Sequence, residues 1–175
     1  MLQQNKITGL KQGVKNSNRV NVFVDGKYVL SLDLTQVVDC GVKIGRVLSA
    51  DELDELKRAS EFGQLYRRAL EWALVRPRSR KEVHDYLYKK VYEKRLDKRY
   101  IGDVIDRLEN RGYVDDRRFA EYWVENRFVK KGISRKRLRL ELTRKGISKE
   151  IIDEVLGGRN DEEEISKMIA KKRDK

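Results

Sequence analysis

Ser79-Arg80-Lys81-Glu82-Val83 and Ser134-Arg135-Lys136-Arg137-Leu138 hold the same place in two successive helical patterns. In register, Val83 matches Leu138 and Leu87 matches Leu142. Each of these helices follows an apolar one, marked by Leu65, Ala69 and Leu74 in the first case and by Phe119, Trp123 and Phe128 in the second. Each is also followed by one: Ile101, Val104, Ile105 and Leu108, then Ile151, Ile152, Val155 and Leu156. The unit is three helices of roughly 50 residues, and it occurs twice. A third copy begins at Asp161, where Ile165 and Ile169 match Phe119 and Trp123, and the chain stops at Lys175 after one helix. Repeats of this length bury one face of each unit against the next. The expected fold is mainly α: tandem three-helix, helix-turn-helix-like repeats in an elongated, curved stack.

The segment before the repeats reads differently. Val20, Val22 and Val24 alternate with Asn21 and Phe23; Asp25-Gly26 follows, and then Tyr28, Val29, Leu30 and Leu32. Asp-Gly between two apolar runs predicts a type I′ hairpin, because both turn positions need positive φ. A third strand is expected over residues 7–15, with Asn16-Ser17-Asn18 as its turn. A short helix from about Asp33 to Cys40 should end at Gly41. Ser49 with Glu52 forms a capping box, and a helical pattern runs from there, interrupted near Gly63, to the lone proline, Pro77. The expected organisation is a small β-hairpin domain over 1–60, repeats over 61–114 and 115–158, and the first helix of an incomplete third repeat over 159–175.

Charge follows this division. Of the formal +12, residues 1–61 supply +1, residues 62–114 +6, residues 115–158 +4 and residues 159–175 +1. Within the repeats the basic residues cluster again. Arg76, Arg78, Arg80 and Lys81 surround the start of one middle helix. Around its counterpart stand Arg127, Lys130, Lys131, Arg135, Lys136, Arg137, Arg139, Arg144 and Lys145, opposed in sequence only by Glu141. A one-sign cluster costs self-repulsion, so a bound anion explains it better than plain solvation. Helix starts already suit anions, and basic side chains there weaken an isolated helix. The expectation is that both clusters project into solvent and contact nucleic acid or an acidic protein surface.

Other functions find little support. There is no Walker A or dinucleotide-binding glycine pattern. His84 is the only histidine and Cys40 the only cysteine, too few ligands for a zinc site and no basis for a disulfide within the chain. Asp115 and Asp116 are expected to cap the helix of Phe119 rather than to act as paired catalytic carboxylates. No metal, cofactor or catalytic residue is expected. Met1 to Gly13 has no apolar core run, and no stretch approaches the ~18 apolar residues of a membrane span, so the expected location is the cytoplasm.

The string Arg76-Pro77-Arg78-Ser79-Arg80-Lys81-Glu82-Val83 resembles the bacterial RecX proteins, together with Leu87, Val104, Ile105 and Leu108. So do Gly112-Tyr113-Val114-Asp115-Asp116 with Phe119-Ala120, Arg135 to Leu142, Lys145-Gly146-Ile147 and Ile151 to Leu156. The match covers about residues 64–157, and the amino-terminal hairpin is similar to an extension carried by some members. The resemblance implies a monomeric regulator of the recombinase RecA, acting in homologous recombination, DNA repair and the SOS response. Such proteins lie in the groove of the RecA filament on single-stranded DNA and oppose its extension, ATP hydrolysis and strand exchange. They have no catalytic site. The family usually carries three repeats, so the break after one helix of the third bears on how far along a filament the protein reaches. Two rival readings stand beside this one: a free DNA- or RNA-binding helical-repeat protein, and an enzyme acting on nucleic acid. The middle helices lack the Asn and Gln expected for reading adenine edges.

Overall fold

The computed structural model describes residues 5–14, 16–129 (without the side chains of 128 and 129) and 133–157. The expected helix of the third repeat, with Ile165, Met168 and Ile169, lies outside the described residues, as do Lys130 and Lys131. The chain forms two compact units, Met1–Arg67 and Arg68–Lys175. It is mainly helical, with an amino-terminal antiparallel sheet.

In the first unit, β1 (Ile7–Gly13), β2 (Asn16–Val24) and β3 (Lys27–Asp33) form a sheet in the order β1-β2-β3. The Asp25-Gly26 turn has φ of 48° and 80°, the left-handed pair that a type I′ turn requires. The Asp25 carboxylate also accepts hydrogen bonds from the Asn5 and Lys6 amides, at 3.1 and 3.0 Å. The first turn falls earlier than the Asn16-Ser17-Asn18 signal suggests. Gly13 already pairs with Asn16, and the Asn16 side chain accepts from the Asn18 amide inside β2. One sheet face buries Ile7, Val22, Val24, Leu30 and Leu32 against Val42, Leu48 and Leu56.

A short helix, α1 (Leu34–Asp39), follows β3, with Asp33 and Gln36 in a reciprocal capping box and Cys40, half-buried, as its C-cap. Gly41 then takes φ of 59°. The next helix, α2 (Ala50–Leu74), starts with the predicted Ser49–Glu52 box: each side chain bonds the other's amide, at 2.7 and 3.1 Å. It is continuous for 25 residues, with no break near Gly63. Gly63 has a packing reason instead. The Gln36 amide, which donates to the Ala59 carbonyl at 2.6 Å, sits where a Cβ on residue 63 would lie.

The second unit holds the end of α2 and then α3 (Arg80–Lys94), α4 (Arg99–Asn110), α5 (Asp116–Val124), a π-type turn over Glu125–Val129, α6 (Arg135–Arg144) and α7 (Lys149–Gly157). Each middle helix buries the residues that the repeat picks out: Val83 and Leu87 in α3, Leu138 and Leu142 in α6. Around α6, Phe119, Ala120, Val124, Ile147, Ile152 and Leu156 close one core. Val104, Ile105 and Leu108 of α4 are buried likewise. Asp115 caps α5, accepting from the Arg117 and Arg118 amides. Asp116 does a different job from the one expected: its carboxylate accepts from the Arg80 amide at 2.7 Å and so caps α3 across the repeats.

Candidate nucleic-acid interface

The basic residues of the two repeats divide into an inner set held by acids and an outer set facing water. Glu82, third residue of α3, organises the inner set. Its side chain is only 11% exposed and takes Arg76 Nη1 at 3.0 Å, Lys145 Nζ at 2.6 Å and Arg78 Nη1 at 3.9 Å. Burial alone would raise the Glu82 pKa, but hydrogen bonds from Arg76 and Lys145 outweigh it and hold the carboxyl below its ordinary value.

Arg78 is buried to the same degree and lies over the Trp72 ring, 3.6 Å from its centroid, while Trp72 stacks on Tyr86 at 4.7 Å. Burial, with Arg76 adding to it, lowers the Arg78 pKa from its usual value. Arg80 bonds Glu109 and reaches Asp106 at 3.3 Å, and the Glu109 bond raises its pKa. Lys81 pairs with Asp85 at 3.2 Å. The expectation that this first cluster projects unopposed into solvent is therefore not met. The countercharges come from Asp106 and Glu109 of α4 and from Glu82 and Asp85 of α3 itself.

The second cluster is partly anchored too. Arg135 donates to the Leu156 carbonyl at 2.7 Å, and Arg139 meets Asp153 at 2.5 Å. Glu141 repeats the role of Glu82. It accepts from Trp123 Nε1 at 3.0 Å and faces Arg127 at 3.4 Å and Arg137 at 3.6 Å. Arg127 and Lys145 each lie 4.9 Å from the centroid of the Trp123 ring. Lys145 thus spans the repeats, touching Glu82 and Trp123 at once.

What is left outward is a stripe on α6. Lys136, Leu140 and Arg144 stand one turn apart, are exposed, and line an open groove with Ser134, Arg137 and Glu141. Lys136 and Arg144 have no ionic partner among the described residues. Such a stripe can follow a phosphate backbone: point charges at helical spacing, with no side chain suited to reading a base edge. The sequence names Glu141 only as the lone acid of the second cluster and Trp123 only as a helix marker, and gives no role to Glu82 or Trp72. The available signal was an acid and a tryptophan recurring beside each basic cluster. Among the described residues, no group of His, Cys, Asp and Glu side chains could hold a metal ion, and no helix is long and apolar enough to cross a membrane.

Fold and surface define a helical-repeat protein with an amino-terminal sheet. The family described as "RecX, second three-helix domain" matches residues 115–156, and "Regulatory protein RecX N-terminal domain" matches residues 5–49. The Regulatory protein RecX of Clostridium acetobutylicum is 30% identical over 155 residues, covering 89% of this chain and 70% of that protein. Those of Bacillus velezensis and Bacillus subtilis are 35% and 32% identical over 93% of this chain and 60% of their own length. This chain spans 58% of the Listeria relatives it matches. A crystal structure of regulatory protein RecX superposes with a TM-score of 0.70 at 21% identity, over 87% of this chain and 72% of the other. The chain belongs to the RecX family.

Proposed function

We propose that this protein regulates RecA by binding the RecA–single-stranded-DNA filament, using the outward basic stripe of α6 as part of its contact surface. Family membership carries the reading, since the relatives bear the name of regulatory proteins. The residues proposed for the contact are Lys136, Arg137 and Arg144 with Leu140, and Lys130 and Lys131 just before the helix. Arg76, Arg78 and Lys145 serve the contact indirectly, by fixing one repeat on the other through Glu82. The protein acts as a monomer in the cytoplasm, without cofactor, and its effect is binding rather than catalysis.

The test is RecA ATP hydrolysis on single-stranded DNA with the full chain and with its Lys136→Glu/Arg144→Glu variant, beside thermal melts of both. The reading expects inhibition by the full chain, and roughly tenfold weaker inhibition by a variant that melts normally, about 1.4 kcal/mol of affinity. Equal affinity for bare DNA and for the filament, with no effect on hydrolysis, favours a free DNA- or RNA-binding protein. Turnover of nucleic acid favours an enzyme.

A further inference from the structure

Helix α3 has 15 residues and α6 has 10, although both start at a serine N-cap and bury their first two apolar positions in register. The extra length buries Val91 and presents Tyr92, 75% exposed, beyond Tyr88, which is 48% exposed near the end of the shared length. The two tyrosines stand one turn apart on one helix face. With Arg95, Leu96 and Lys98 they line an open depression of about 550 Å³.

The cap that ends α3 adds a second observation. Arg95 takes φ of 54° and ψ of 40°, and the Leu96 amide bonds the Val91 carbonyl at 3.0 Å. In the second repeat the same cap is made by Gly146, at φ of 80°, with the Ile147 amide on the Leu142 carbonyl at 3.1 Å. Glycine adopts this conformation freely, and an arginine does so only at a steric cost. The first repeat thus carries a guanidinium beside the tyrosines where glycine would be the easier residue.

Two charges there are open: Arg95 and Lys98 have no ionic partner among the described residues. The nearby acids are engaged: Glu93, which also lines the depression, holds Lys90 at 3.0 Å, and Asp97 holds Arg99 at 2.7 Å. The Tyr88 ring stacks on His84, centroids 6.3 Å apart, and Tyr92 stands the more open; exposed aromatic surface beside unpaired cations matches the chemistry of unpaired nucleotides. Every base has a face to stack, and every linkage has a phosphate.

The geometry points to a single-strand platform at the carboxyl end of α3, where Tyr88 and Tyr92 stack bases while Arg95 and Lys98 hold the flanking phosphates. It is a second site, distinct in residues from the α6 stripe, and it does not depend on the recombinase reading. Because stacking needs unstacked bases, the platform prefers a single strand to a duplex.

The experiment is anisotropy titration of a labelled oligothymidylate, and of a duplex of equal length, with the full chain. The variants are Tyr88→Ala/Tyr92→Ala, Tyr88→Phe/Tyr92→Phe and Lys98→Glu, each with a melting curve. The alanine pair weakens single-strand binding by roughly tenfold or more, on the scale of base–aromatic stacking. Its duplex binding is nearly unchanged, and the phenylalanine pair retains single-strand binding. A 5-iododeoxyuridine oligonucleotide cross-links to Tyr88 or Tyr92 on irradiation. If the alanine pair melts early, the cross-link and Lys98→Glu decide. Several outcomes overturn the platform: no oligothymidylate binding by the wild type, no cross-link at either tyrosine, or equal losses on single strand and duplex. So does loss of RecA inhibition with oligonucleotide binding intact, which makes the surface a protein contact. Failure of RecA inhibition in the wild type leaves the platform standing, so the two readings fail separately.

Discussion

The Lys145 ammonium, at the end of α6, lies 2.6 Å from a carboxylate oxygen of Glu82, in the first turn of α3. The pair joins two residues from different repeats, and Glu82 is mostly removed from water. Removing one partner of such a pair leaves a poorly solvated charge behind. Glu82→Gln should therefore lower stability by about 2 kcal/mol, the scale of hydrogen bonds to charged groups. Urea unfolding checks this, and an unchanged midpoint would show the contact to be incidental.

Acid should act through the same group. The Glu82 carboxyl is held below its ordinary value in the folded protein. Its contribution is fully present above the unfolded value, about 4.3, and is lost as pH falls through the folded one. The Asp116 carboxyl works the other way. Burial raises its pKa, so its contribution improves as pH falls toward the unfolded value. The expected result is that Glu82→Gln flattens the decline in melting temperature below about pH 4.5. A parallel, merely offset curve would assign the acid limb to other carboxylates.

Two arginine reversals should differ sharply although both arginines belong to the basic clusters. Arg78→Glu places an acid against Glu82 and removes the cation over Trp72, so it should cost about 3 kcal/mol or more. Arg144→Glu sits on the outward stripe and should shift stability by less than about 0.5 kcal/mol. Melting curves of the two variants side by side provide the check.

Salt should report the stripe. If Lys136, Arg137 and Arg144 each neutralise one phosphate of a single strand, they contribute about −2 to the slope of log K against log salt. Their joint replacement by alanine should remove about that much of the slope. A slope unmoved by the replacement would place the phosphates elsewhere.

Gly63→Ala sets two effects against each other. Alanine in a helix interior gains about 1 kcal/mol over glycine, and a methyl forced into filled space costs about 1–3 kcal/mol. The Gln36 side chain is tied to the Ala59 carbonyl and to the Asp33 amide, so it yields poorly. The clash should win, by about 1 kcal/mol. The double variant with Gln36→Ala should recover part of the loss, a coupling that a thermodynamic cycle measures.

Local rules carried the sequence reading well wherever a feature depends on neighbours in the chain. Asp25-Gly26, the Ser49–Glu52 box and the Asp115 cap all belong to that kind. So do the buried registers Val83–Leu87 and Leu138–Leu142, because helical period alone sets them. The misses are long-range. Gly63 looked like a breaker because Gln36 is distant in sequence. Arg80 of the first basic cluster finds its countercharges, Glu109 and Asp106, on another helix, while Glu82 and Asp85 oppose its neighbours from close by in sequence. Lys136 and Arg144 became distinct from Arg135 and Arg139 only once the facing residues of α7 were in place.

The Ser79 hydroxyl is fully buried and serves two helices at once. It accepts the Glu82 amide at 3.1 Å, capping α3, and donates to the Lys145 carbonyl at 2.9 Å, closing α6. Its counterpart Ser134 makes no side-chain bond of this kind among the described residues. The first turn of α3 therefore cannot fray without unlatching the last turn of α6, and the two ends should open to solvent together. In hydrogen exchange the Glu82 and Gly146 amides should therefore open as one cooperative unit, making the boundary between repeats a seam of shared stability rather than a hinge.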